Sequence, residues 1–238
     1  SKNGPAMYIP NVGSVNIYGG TISGPAAAIG IKSGTLNISG GTLIANGPDR
    51  TPTEGFSNGI NASGAAIQIE SNDDYKLNAS EKGTVEVKIT GGTIKSLNGS
   101  AIYEYLGKGN DTHLAKLVIS GGYFSGAKGC LMISEQLAGK TESETGKNEV
   151  IKISDGFYSS DVDAAYCIDK KTAVANTNSE TNREYPFMIG EAGEHPAEVA
   201  AGAPKVALSD ELTNNTTAKN MKIALEGEDA ATDMSGPG

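Results

Sequence analysis

Apolar and polar residues alternate along most of this chain in short runs, and the runs recur in one order. The first copy is Val15, Ile17, Gly19, Gly20 and Ile22, followed by Ala28, Ile29 and Ile31. The second runs Leu36, Ile38, Gly40, Gly41, Leu43, then Ala66, Ile67 and Ile69; the third Val87, Ile89, Gly91, Gly92, Ile94, then Ala101 and Ile102. Leu117, Ile119, Gly121, Gly122, Phe124, Leu131 and Ile133 form the fourth, and Ile151, Ile153, Asp155, Gly156, Tyr158, Ala165, Tyr166 and Ile168 the fifth. A period of two belongs to strands, and helical spacing is nowhere sustained.

The glycine pairs, with Asp-Gly as the last, start at 19, 40, 91, 121 and 155, giving spacings of 21, 51, 30 and 34. The shortest is the bare unit. A self-similar period above about 20 residues marks a stacked array whose units cannot bury their apolar side alone. Such a unit holds three short strands and three corners, which predicts an all-β fold: a right-handed, single-stranded parallel β-helix of about five to six rungs, each ~4.8 Å above the last. Ile17, Ile38, Ile89, Ile119 and Ile153 are then one interior column, and Met7, Ile29, Ile67, Ile102, Leu131 and Tyr166 another.

The paired glycines suit corners, where the backbone needs positive φ or close approach. Asp155 replaces the first of them once, and Asp tolerates left-handed geometry better than most residues. Thr21, Thr42 and Thr93 follow in register, as β-branched residues stacking on an outward or corner column. The coil is expected over residues 1–190. Beyond it, 191–238 loses the pattern and reads as a capping or linker segment, since open coil ends are exposed edges. The chain opens inside a rung, with Ala6, Met7 and Ile9 matching Ala28, Ile29 and Ile31, and is expected to be a mature or excised piece of something longer.

A formal charge of −9 with two arginines, Arg50 and Arg183, argues against binding a phosphate backbone. No run has the length of a membrane-spanning helix, so no membrane insertion is expected. Cys130 and Cys167 fall on neighbouring rungs two positions out of register, about 8 Å apart, beyond disulfide reach. The Asn-x-Ser sequons at Asn37, Asn61, Asn78 and Asn98 are expected to be accidental in a bacterial or phage product.

Insertions show where function can sit. Loops 70–86, 105–116 and 134–150 enlarge the same corner of three consecutive rungs, and 45–64 enlarges a second corner. Long loops on a rigid scaffold are where binding usually resides. Asp73, Asp74 and Asp111 are the candidate ligands of a hard cation such as calcium; no other cofactor is expected, and solvated surface loops are the competing reading. Tyr75, Tyr103 and Tyr105, with Asn110 and His113, are the candidate glycan contacts, tyrosine packing against a loop being the plainer alternative. Glu104 stands where other copies carry isoleucine. Burying a carboxylate there is costly, so either the strand ends early, the expectation taken here, or Glu104 is a functional group held at a loop mouth.

The Ile-x-Gly-Gly-Thr-Ile units, as in Ile38 to Leu43 and Ile89 to Ile94, resemble the pectate lyase-like right-handed parallel β-helix superfamily. They look most like the Gly-Gly-Thr-Ile-rich coils of gut-bacterial surface proteins and of phage tail or virion proteins. Enzymes of that superfamily use an acidic calcium cluster with an arginine base, or paired aspartates followed by Gly-His-Gly and Arg-x-Lys segments. Asp73 and Asp74 mimic the pair, but His113 sits in Thr-His-Leu and there is no Arg-x-Lys. The expected function is therefore a non-catalytic structural and adhesive coil, extracellular on a bacterial cell or virion surface. Its expected partners are a polysaccharide or cell-surface glycan and other chains of a larger assembly. A polysaccharide lyase or glycoside hydrolase, and a purely structural virion component, are the alternatives.

Overall fold

Each alternating run, bounded by glycine or a polar corner, forms a strand that buries every second side chain. The computed structural model describes residues 4–52, 62–71, 76–78, 81–82, 85–107, 114–134, 137, 150–193, 206–208, 222–225 and 232–233. Strands β1 (Pro5–Ile9), β2 (Ser14–Ile17) and β3 (Thr21–Gly24) make a first circuit, and β4 (Ala27–Ile31), β5 (Gly34–Ile38) and β6 (Thr42–Ala45) a second. The third comprises β7 (Ile67–Ser71), a small antiparallel pair β8 (Lys76–Asn78) and β9 (Glu81–Lys82), then β10 (Val85–Ile89) and β11 (Thr93–Ser96). Strands β12 (Ile102–Leu106) and β13 (Lys116–Gly126) make the fourth circuit, and β14 (Leu131–Ile133) and β15 (Ile151–Tyr158) the fifth. Among the described residues there is no α-helix; the one helical turn is the 3₁₀ segment Ala164–Tyr166.

The chain visits three parallel ladders in turn. The first is β1-β4-β7-β12-β14. The second is β2-β5-β10 continued by the leading halves of β13 and β15, and the third is β3-β6-β11 continued by their trailing halves. Parallel strands cannot be joined by tight hairpins, so each must return by way of the other two ladders.

Registers follow the repeat. Ile17, Ile38, Ile89, Ile119 and Ile153 are successive partners, all buried. Met7, Ile29, Ile67, Ile102 and Leu131 form a column of the first ladder, and Ile22, Leu43, Ile94, Phe124 and Tyr158 one of the third. The Phe124 and Tyr158 rings lie parallel, centroids 4.9 Å apart. All join one apolar cluster, and each fully buried side chain of this size stabilises the fold by ~1.5–3 kcal/mol.

The corners divide labour between the two glycines. Gly92 has φ 93°, and the second glycine of the other pairs is positive too. Gly91 needs space instead: a Cβ there would lie 2.6 Å from the Ser39 carbonyl oxygen of the circuit below. Asp155 does not adopt the left-handed geometry expected of it; Lys170 is the described non-glycine residue that does. The ladder accommodates the aspartate by a register shift, so that Asp155 pairs with Ser120 while Phe157 returns to Tyr123. Thr21, Thr42 and Thr93 stack in register on an outward column as expected.

The fifth circuit departs from the repeat. Asp163 accepts a hydrogen bond from the Ala165 amide at 2.9 Å and starts the 3₁₀ turn, after which Cys167 bridges to Ile153. Tyr166 therefore does not continue the Met7 column, and Cys167 does not align with Met132. Both cysteines are free thiols. Strands β16 (Lys171–Ala175) and β17 (Phe187–Glu191) then form an antiparallel hairpin, and β17 pairs antiparallel with β15. Parallel stacking thus stops at β15, inside the 1–190 span assigned to the coil. Within 191–238, β18 (Val206–Leu208), β19 (Lys222–Leu225) and β20 (Thr232–Asp233) form a separate three-stranded sheet.

Candidate functional site

The outward side of the first ladder carries more chemistry than any other described face. Tyr8, Gly30, Gln68, Tyr103 and Met132 are successive register partners there, and Tyr105 lies beside Glu70 in the next column. Gln68, Glu70 and Tyr105 are fully buried although they sit on the outward positions of their strands, whereas Tyr8 and Tyr103 are half-buried and Met132 is exposed.

One hydrogen-bond chain organises this face. The Ser63 amide donates to Gln68 Oε1 at 2.6 Å, Gln68 Nε2 donates to Glu70 Oε1 at 3.1 Å, and the Tyr8 hydroxyl donates to Glu70 Oε2 at 3.1 Å. A buried carboxylate is tolerable when it is met by such donors. Tyr8 stands two circuits away from Glu70 and reaches it across the place where Gly30 has no side chain. A Cβ on Gly30 would lie 3.2 Å from both Tyr8 Cδ2 and Pro5 Cγ. The glycine is there to let an aromatic ring cross a circuit.

Tyr103 and Tyr105 pack with ring centroids 6.2 Å apart and an interplanar angle of 17°. Because Tyr105 is fully buried, its ring face is taken up by the protein, which corrects the expectation of a ligand-stacking role for it. Tyr103 remains half open. Tyr75, Asp73, Asp74, Asn110, Asp111 and His113 lie outside the described residues. The three long insertions that hold most of them connect the first ladder to the second, leaving from β7, β12 and β14 at neighbouring circuits.

Glu104 corrects the expectation of an early strand end. β12 runs through it to Leu106, and Glu104 takes the place between Ile69 and Ile133 with its side chain fully buried. Its Oε1 accepts the Ala115 amide at 2.6 Å, so the carboxylate closes the base of the 105–116 insertion where the chain re-enters as β13. Tyr166 senses it. Burial above all, then the charges of Asp163 and Glu104, raise the Tyr166 hydroxyl above its ordinary pKa.

The sequence singled out Tyr103, Tyr105 and Glu104 but not Tyr8, Gln68 or Glu70. The last two form a polar pair two residues apart on a strand otherwise made of core isoleucines, Ile67-Gln68-Ile69-Glu70, and Gly30 interrupts the equivalent place one circuit below. Together they were the available signal. Among the described residues no group of three or more His, Cys, Asp or Glu side chains is placed to hold a metal ion. What the face offers is two tyrosine rings flanking bonded amide and carboxylate groups, an arrangement suited to stacking on and hydrogen bonding to a polyhydroxylated ligand. No family model, no curated protein and no solved structure matches this chain.

Proposed function

We propose that the chain is a right-handed, single-stranded parallel β-helix that acts as a structural and adhesive module outside the cell, on a bacterial or virion surface, and contacts glycans on the outward face of its first ladder. The observation that carries this reading is the five-fold return of the chain to three in-register parallel ladders. Parallel crossovers of one sheet are right-handed almost without exception, which supplies the hand. Five rungs stack to only about 24 Å, so the coil by itself is a short block and its surface chemistry matters more than its reach.

The glycan part is supported by the Tyr8–Tyr103 column. Its two half-buried rings stand three rungs apart, about 14 Å, with Gly30 and Gln68 between them. A chain of sugar units lying along the coil axis would meet both rings and the amide between. The test is a glycan array with the purified protein, with and without calcium. Binding that Tyr103→Ala weakens at least tenfold supports the assignment; binding unchanged by Tyr103→Ala and Tyr8→Phe, or no binding at all, removes the glycan role and leaves the structural one.

A further inference from the structure

The two ends of the coil are finished differently. At the far end, β17 runs antiparallel along β15 and the hairpin covers that edge. At the near end, β1, β2 and β3 each pair on one side, and no described strand lies against the other. The core is correspondingly less covered there. Met7, Val15 and Ile22 are only partly buried, while their partners one circuit further in, Ile29, Leu36 and Leu43, are fully buried.

The composition of this end is unusual. Residues 4–31 contain no charged side chain, in a chain that is 20% charged. Exposed edges are normally blunted by charges, proline or bulges, because alternate N–H and C=O groups point off the edge and recruit other strands. Pro5 and Pro10 bracket β1, but β2 and β3 carry neither device. Beside them Tyr18 is 79% and Val12 41% exposed, two of the large apolar residues that lie open to solvent.

We infer that this end is an interface for a second copy of the same chain, joined edge to edge about a two-fold axis. Three features favour that occupant. An uncharged surface is complementary to itself, whereas a partner of opposite charge would have nothing to recognise. A two-fold axis across the end makes the paired edge strands antiparallel, and the coil already accepts an antiparallel neighbour where β15 meets β17. The open apolar side chains Met7, Val15 and Ile22 would meet their own counterparts and complete the core. The product is a double-length coil of about 48 Å with a hairpin at each outer end.

This inference rests on the β-helix reading, and the experiment separates the two. Sedimentation velocity over a concentration series is combined with small-angle scattering on the intact chain. The expected result is a reversible dimer whose long axis is about twice that of the monomer. Tyr18→Lys with Asn16→Lys places like charges on the edge without touching the core, and should shift the dimer to monomer at least tenfold while the far-ultraviolet spectrum and Tm stay within a few degrees of wild type. Val12→Lys is the second variant should that pair fold poorly. A wild-type monomer at every concentration overturns the inference, as does a dimer that all three lysines leave intact. In either case scattering with the cross-section of a three-sided coil leaves the β-helix standing, and a scattering curve that excludes it removes both.

Discussion

Adding a single methyl group at successive corner glycines should give costs that differ by position in a way only stacked circuits explain. Gly19 opens the first pair, and a Cβ there would meet nothing within 4 Å. Gly19→Ala should be neutral or stabilising by up to about 1 kcal/mol, through the reduced entropy of the unfolded chain. Gly20 has φ 81° and equally open space, so Gly20→Ala should cost ~1–2 kcal/mol from backbone strain alone. Gly91 has ordinary φ but sits over the preceding circuit, its Cβ 2.6 Å from the Ser39 carbonyl oxygen. That oxygen belongs to backbone and cannot swing aside. The ladders must part locally, straining the hydrogen bonds from the Thr90 amide to the Ile38 oxygen and from the Thr93 amide to the Gly41 oxygen, each 2.8 Å. Losing or lengthening both costs ~2–4 kcal/mol, given about 1–2 kcal/mol for each compromised buried bond. Urea unfolding followed by circular dichroism measures the series. The order Gly91→Ala worst, Gly20→Ala intermediate and Gly19→Ala least is the expectation; equal costs at Gly19 and Gly91 would refute the stacking argument.

Three further outcomes follow from the packing. Gly30→Leu should displace Tyr8 and break its bond to Glu70, costing ~1–3 kcal/mol, with Gly30→Ala milder; a neutral Gly30→Leu would mean the ring does not cross there. Glu104→Ala leaves the buried Ala115 amide without this acceptor and should cost ~1–3 kcal/mol, whereas Glu104→Gln keeps an acceptor oxygen and should cost less; the reverse order in thermal unfolding would contradict the loop-closing role. Tyr185 packs on Tyr123 with centroids 5.2 Å apart, and burial, reinforced by Glu184, pushes its hydroxyl up to about 12. The folded protein holds that proton more tightly than the unfolded chain, so the stability it confers is complete below the ordinary value of about 10 and is lost as pH rises through about 12. Tyr185→Phe should flatten that alkaline loss, read from the unfolding midpoint against pH.

The apolar columns were legible in the sequence because strand alternation and glycine corners are local signals that stacking repeats five times. Ile17 to Ile153 fell into register for that reason. The fifth circuit was not legible. Its Ala165-Tyr166 run resembles earlier arms, but Asp163 caps a turn and the returning hairpin captures the edge of β15, a decision made by tertiary pairing. Asp155 was misjudged similarly, since a register shift across two strands is invisible in one of them. Glu104 read as a strand breaker because its partner, the Ala115 amide, lies across an insertion whose path no pattern predicts. The Tyr8–Glu70 contact joins residues 62 apart and depends on a missing side chain at Gly30 between them. Spacing along a chain records neighbours above and below in a repeat, but not side chains that lean across it.

The central claim is that residues 51 apart in sequence lie directly over one another in adjacent circuits. The most direct measurement is through-hydrogen-bond scalar coupling by nuclear magnetic resonance on the isotopically labelled chain. It should connect the Thr90 amide nitrogen to the Ile38 carbonyl carbon, and the Thr93 amide nitrogen to the Gly41 carbonyl carbon. Couplings from those two amides to other carbonyls would show that the ladders are assembled differently, and the stacked core together with the face built upon it would be wrong.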